Sequence, residues 1–221
     1  MFVDLTKVSP ELRDSLLKEG VTLRDYNEIA SALLALPEST RLLVDPARVT
    51  CGLLGNLKAG VKLVEGLNPT TLAKSQKSLD DVFYIRQAME QDGAALCEFF
   101  AWLDSAWGRE RITELTIDER LTAARASRPD FVSLSFNTIA AFNANGAMPH
   151  YHATEQAHAL IEGDGLLLID SGGQYLGGTT DITRMVPVGK VSDEQKRDCT
   201  RVLKGVIALS RAHFPRGILS P

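Results

Sequence analysis

Two carboxylates on either side of a glycine-rich run constrain this chain more than any other feature in it. Residues Gly163 to Arg184 read GDGLLLIDSGGQYLGGTTDITR. Leu166 to Ile169 is a short apolar run ending in Asp170, SGGQYLGG suits a tight reversal, and Thr179 to Val186 has the character of a second strand carrying Asp181. The pattern predicts a β-hairpin with one acid on each arm. Paired arms would set Asp170 and Asp181 facing each other across the ladder, where two carboxylates repel unless a proton or a cation lies between them. Carboxylate oxygens suit hard divalent ions such as Mn²⁺, Mg²⁺ or Ca²⁺, and a bridging pair is typical of hydrolytic sites with two ions about 3.5–4 Å apart. Aspartates also flank glycine turns simply to cap and solvate them, and spacing does not separate the two readings.

Composition excludes several classes of function. A net charge of −4 without a basic block or a basic-aromatic stripe argues against a nucleic-acid partner. The opening MFVDLTKVSP has neither a basic nor an apolar leader region, and no apolar run approaches the roughly 18 residues of a membrane span, so a cytoplasmic protein without a membrane partner is expected. With 221 residues, 44% of them hydrophobic, the chain can bury one good core or two small ones. Cys51, Cys97 and Cys199 lack metal or disulfide spacing and are expected to be buried small hydrophobes.

The first seventy residues alternate short apolar strands (FVDL, VTLRDY, RLLVD, VKLVEG) with helical patterns over Ser9 to Glu19, Asp25 to Leu36 and Pro46 to Leu57, which indicates an α/β layer. Ser9-Pro10 supplies an N-cap with proline behind it, and Gly20 closes the helix. No phosphate-cradling glycine loop follows any of these strands. Asn68 to Ser78, polar and without apolar periodicity, is the expected linker, with a boundary near residue 74. A long helix is predicted from Leu79, with Val82, Ile85, Met89, Leu96, Phe100 and Leu103 on its core stripe; Trp102 and Trp107 near its end are expected to be packed. Thr116 to Glu119 has the form of a capping box, followed by a helix to about Ser127 and a strand from Phe131 to Ile139. Ser192 to Gln195 is a second box, opening a helix with Cys199, Val202, Val206 and Leu209 on its stripe that Pro215 and Gly217 should end.

The string IDSGGQYLGGTTDITR, with FNANGAMPHYHAT upstream and VLKGVIALSRAHFPRG downstream, resembles the catalytic domain of the Xaa-Pro aminopeptidases, the aminopeptidase P branch of the pita-bread metallopeptidases. The likeness covers nearly the whole chain. It implies an α/β (α+β) class, with residues 1–74 as the C-terminal part of an α/β creatinase N-terminal-like domain and residues 75–221 as the N-terminal half of a pita-bread catalytic domain. It implies two divalent metal ions, most often Mn²⁺, with Asp170 and Asp181 among their ligands. It also implies a catalytic task for His150, donating a hydrogen bond to the oxygen on which negative charge develops. The residues alone favour a structural or solvent-facing histidine there. His152 would share a strand face with His150, while His158 and His213 receive no role.

The family's other ligands, one histidine and two glutamates, lie in segments like HGTGHGVG and HEGP, and neither string occurs here. The resemblance therefore implies that the chain stops where the second half of the domain should start, and that it is inactive alone. The implied reaction of the complete protein is hydrolysis of the bond between an N-terminal residue and a following proline, on peptides with proline at the second position, by a homodimer. Two alternatives stay open: a non-catalytic pita-bread module that binds peptides or proteins, and a prolidase- or creatinase-like hydrolase.

Overall fold

The computed structural model describes residues 1–214, and these divide into two compact units, Met1–Lys77 and the chain from Ser78 onward. In the first unit the expected alternation forms. Strands β1 (Phe2–Val3) and β2 (Arg24–Asp25) pair in parallel, with α1 (Pro10–Lys18) between them in sequence. Helix α2 (Ile29–Leu34) precedes a second parallel pair, β3 (Arg41–Val44) with β4 (Lys62–Glu65). Parallel pairing needs a crossover, and the helix-bearing segments supply it. Ser9 caps α1 by accepting from Leu12 N, Pro10 takes the first helical position, and Gly20 follows with φ of 81°. The helix expected over Pro46 to Leu57 is only α3 (Cys51–Leu54), capped by Thr50. The expected linker instead holds a helix, α4 (Pro69–Ser75), because the Asn68 side chain accepts from Thr70 N and Pro69 is pre-set for a first turn. The boundary expected near residue 74 falls inside that helix.

The second unit opens with the long helix α5 (Leu79–Ala106), started by a capping box between Ser78 and Asp81. Its buried residues are Ala88, Asp92, Ala95, Leu96, Phe99, Leu103 and Ala106; of the expected stripe Leu96 and Leu103 are among them and Phe100 packs half-buried against the core, while Met89 is exposed. Helix α6 (Glu114–Ala126) begins earlier than expected. Thr113 is its N-cap and Thr116 the reciprocal partner three residues on, so the capping box spans Thr113–Thr116 rather than Thr116–Glu119. Two strands replace the single one expected from Phe131: β5 (Phe131–Leu134) and β6 (Ile139–Phe142), which enter different sheets.

The hairpin region is more elaborate than a single turn. Strand β7 (Gly165–Ser171) lies between β6 and β10 (Ile182–Val188), antiparallel to both. The segment expected to reverse tightly forms a hairpin of its own, β8 (Gly173–Tyr175) with β9 (Gly178–Thr179), whose β8 pairs with β5 in the other sheet. The core sits between this layer and the two long helices, with Phe99, Ile117, Leu121, Leu167 and Ile169 each no more than 2% exposed. Trp102 and Trp107 pack against it half-buried. The final helix, α7 (Asp193–Arg211), starts at the expected Ser192–Gln195 box. It buries none of its residues. Pro215 and Gly217 lie outside the described residues. Cys51 and Cys97 are exposed and Cys199 half-buried, not the buried hydrophobes expected. Among the described residues no helix is long and apolar enough to cross a membrane.

Candidate functional site

The residue alternation along β7 decides what each side chain does. Leu167, Ile169 and Ser171 are buried on the core side, while Leu166, Leu168 and Asp170 are half-buried on the other. Across the ladder Asp170 is paired with Thr183, and the Thr183 hydroxyl donates to Asp170 Oδ1 at 2.8 Å. Asp181 does not face Asp170 as the simple hairpin predicted. It lies one residue before β10 and two before Thr183, at the position diagonal to Asp170, and is exposed. The cause is the inserted β8–β9 hairpin, which uses the glycine-rich residues for a second sheet and returns the chain to the ladder only at Ile182.

The crossing between the two sheets is tight. A Cβ at Gly172 would collide with the Thr180 carbonyl oxygen and the Ser135 hydroxyl, so only glycine fits there. Ser135 Oγ donates to Thr180 O at 2.9 Å, and Gly173 N donates to Thr180 Oγ1 at 2.8 Å, which pins the chain just ahead of Asp181. Behind it Tyr175 donates to Asp92 Oδ1 at 3.0 Å, and Asp92 receives Arg125 Nε at 2.7 Å and Nη2 at 3.1 Å. Both charged partners are wholly buried. Burial, followed by the charge of Asp92, pushes the Tyr175 hydroxyl well above the usual tyrosine range. This triad ties β8 to α5 and α6.

His150 is exposed, in a turn after the 3₁₀ helix Asn143–Ala147. It does not share a strand face with His152, since neither residue lies in a strand. The connection that carries it is anchored from beneath by Glu114, whose carboxylate accepts from Phe142 N, Asn145 Nδ2, Tyr151 Oη and Ala159 N. Burial, with the hydrogen bond to Glu114 and its charge, pushes the Tyr151 hydroxyl up to about 12. Nothing in the sequence flags Glu114, Asp92 or Arg125, since a lone charge on a helix ordinarily marks its solvated face. Among the described residues no three His, Cys, Asp or Glu side chains are grouped so as to hold a metal ion, so His150 does not join Asp170 and Asp181 in one cluster.

Comparison with known proteins puts this arrangement in context. The sequence profile of the creatinase/prolidase N-terminal domain matches residues 1–80. The probable Xaa-Pro aminopeptidase P of Chaetomium globosum is 36% identical over 98% of this chain and 36% of its own length. Aminopeptidase P1 of Arabidopsis thaliana is 33% identical over 98% of this chain and 41% of its own. The chain thus spans little more than a third of these relatives. Among solved structures, the X-prolyl aminopeptidase of Caenorhabditis elegans, described as a cytosolic enzyme with a di-nuclear active site, superposes with a TM-score of 0.88 at 28% identity, over 98% of this chain and 36% of that one. The pita-bread class expected from the sequence is borne out by that likeness. The profile of metallopeptidase family M24 matches residues 84–219, well over half of the 221, and the chain belongs to that family.

Proposed function

We propose that this chain is the part of an Xaa-Pro aminopeptidase that contributes two aspartates to a di-metal site, and that alone it does not hydrolyse peptides. The observation that carries this reading is the position of Asp170 within β7 and of Asp181 one residue before β10, diagonal to it where the chain enters the ladder, in a chain of the M24 family. Both offer hard carboxylate oxygens, the donor type that Mn²⁺ takes. As a pair they fall short of the six or so oxygens such an ion gathers, so the residues present do not complete a metal centre. In the assembled enzyme the metals would supply the nucleophile and polarise the scissile carbonyl. This chain's share is to hold two anionic oxygens rigidly: Thr183 orients Asp170, and the Gly172 crossing fixes the backbone ahead of Asp181. His150, exposed on its anchored turn, is proposed to hydrogen-bond the developing oxyanion. The substrates would be peptides with proline second. By analogy with the C. elegans enzyme the site is di-nuclear and the location cytosolic; Mn²⁺ as the metal and a homodimeric complete protein are further parts of the proposal.

The test is Mn²⁺ titration followed by calorimetry. Weak binding is expected in the parent chain and none in Asp170→Asn or Asp181→Asn, with stability altered by less than about 1 kcal/mol in each. Incubation with a Gly-Pro dipeptide and excess Mn²⁺ should release no amino acid above a protein-free control. Undetectable Mn²⁺ binding in the parent, together with a marked loss of stability in Asp181→Asn, would make these carboxylates turn residues and overturn the reading. Clear turnover of the dipeptide would overturn its second part.

A further inference from the structure

Glu114 opens α6 with its side chain wholly buried, yet none of the ion pairs among the described residues includes it. A buried carboxylate without a counter-ion is costly unless hydrogen bonds replace the water it has lost. Here they do. Oε1 accepts from Phe142 N at 2.7 Å and Asn145 Nδ2 at 3.0 Å, and Oε2 accepts from the Tyr151 hydroxyl at 2.7 Å and Ala159 N at 2.7 Å.

The donors come from one stretch of chain. Phe142 is the last residue of β6, Ala159 stands just before the bridge between Leu160 and Thr113, and Asn145 and Tyr151 fall between. His150 is the neighbour of Tyr151. We propose that Glu114 is a positioning residue: by gathering both ends and the middle of the 142–159 connection onto one carboxylate, it fixes the backbone that carries His150. A task for His150 rests on the proposed function. The fixing does not, and it is measured without metal or substrate.

The chemistry explains why a carboxylate stands here. Each oxygen accepts from a backbone N–H, a donor that cannot reverse its role as a hydroxyl can. A glutamine would have to turn its own NH₂ toward either Phe142 N or Ala159 N, losing that bond and setting donor against a backbone donor that cannot reverse. An aspartate, one methylene shorter, would not reach both ends. Glu114→Gln is therefore nearly isosteric and selectively disruptive.

The experiment follows hydrogen exchange and the histidine ring signals of the full chain by NMR, free of metal. In Glu114→Gln, exchange at Phe142 or Ala159 should rise about tenfold or more, the size of one lost hydrogen bond, while Leu167 and Ile169 keep their protection. The His150 ring signal should shift or broaden, and that of His213 should not. Tyr151→Phe, which removes one donor and spares both backbone bonds, should move the His150 signal in the same direction by less. An unchanged His150 signal in Glu114→Gln would overturn the proposal, as would exchange rising equally at Leu167 and Ile169. If Glu114→Gln does not fold, Tyr151→Phe decides, and an unmoved His150 signal overturns it. Absent Mn²⁺ binding in the parent chain would defeat the aminopeptidase reading and leave these signals untouched, so the two failures are distinguishable.

Discussion

Tyr151 and Asp92 show how single residues hold this chain by bonds that no local pattern announces. The folded state raises the Tyr151 hydroxyl from 10.0 to about 12, so its contribution is fully present below pH 10 and is lost as pH rises through about 12. Denaturant midpoints measured across that window should fall more steeply in the parent than in Tyr151→Phe, whose curve lacks this component. Asp92 is half of a wholly buried ion pair, and Asp92→Ala strands Arg125 without its partner. The expected loss is about 3–5 kcal/mol by denaturant unfolding. Sequence made Asp170 and Asp181 legible because each closes or opens an apolar run. It left Asp92, Arg125 and Glu114 unread because their partners lie 28 to 83 residues away, where local periodicity carries no information.

At the scale of elements, the sequence left the phase of the long helices unresolved and missed α4 and the β8–β9 hairpin outright. Helix α5 was expected from Leu79 and begins there, yet its buried stripe includes Ala88 and Asp92, which an apolar count passes over. The start of α6 was displaced because Thr113–Thr116 and Thr116–Glu119 are overlapping candidates, and the hydroxyl pair forms the box where a threonine–glutamate pair was expected. Between β5 and β6 the chain changes sheets, which an alternating apolar pattern does not distinguish from one continuous strand. Gly93 interrupts α5 with open space where a Cβ would stand. Gly93→Ala should therefore stabilise the chain by roughly 0.5–1 kcal/mol through helix propensity alone, seen as a higher denaturant midpoint with an unchanged slope.

For the molecule as a whole, the alternation of the first unit and the family-like stretch around Asp170 were legible, and the division of the hairpin between two sheets was not. That division depends on β5 capturing β8, a pairing between residues far apart in sequence, from Leu134 with Gly173 to Phe131 with Tyr175. The exposed face of α7 presents Val202, Leu203, Val206, Ile207 and Leu209, each 48–68% exposed. Soluble domains seldom leave so large an apolar stripe bare, so a hydrophobic dye should bind the chain, and Val206→Lys should reduce that fluorescence without shifting the unfolding midpoint by more than about 0.5 kcal/mol. The bond from Tyr175 to Asp92 also carries a meaning in time. It spans 83 residues and cannot close until α5 and β8 have met, so it is expected to be made after the rate-limiting encounter rather than before it. Removing the hydroxyl in Tyr175→Phe, at a cost of about 1.5–3 kcal/mol for a bond to a charged group, should leave the refolding rate almost unchanged and quicken unfolding by roughly ten- to a hundredfold. The polar triad behind the aspartates would then act as a brake on unfolding, setting how long the native arrangement lasts rather than how fast it forms.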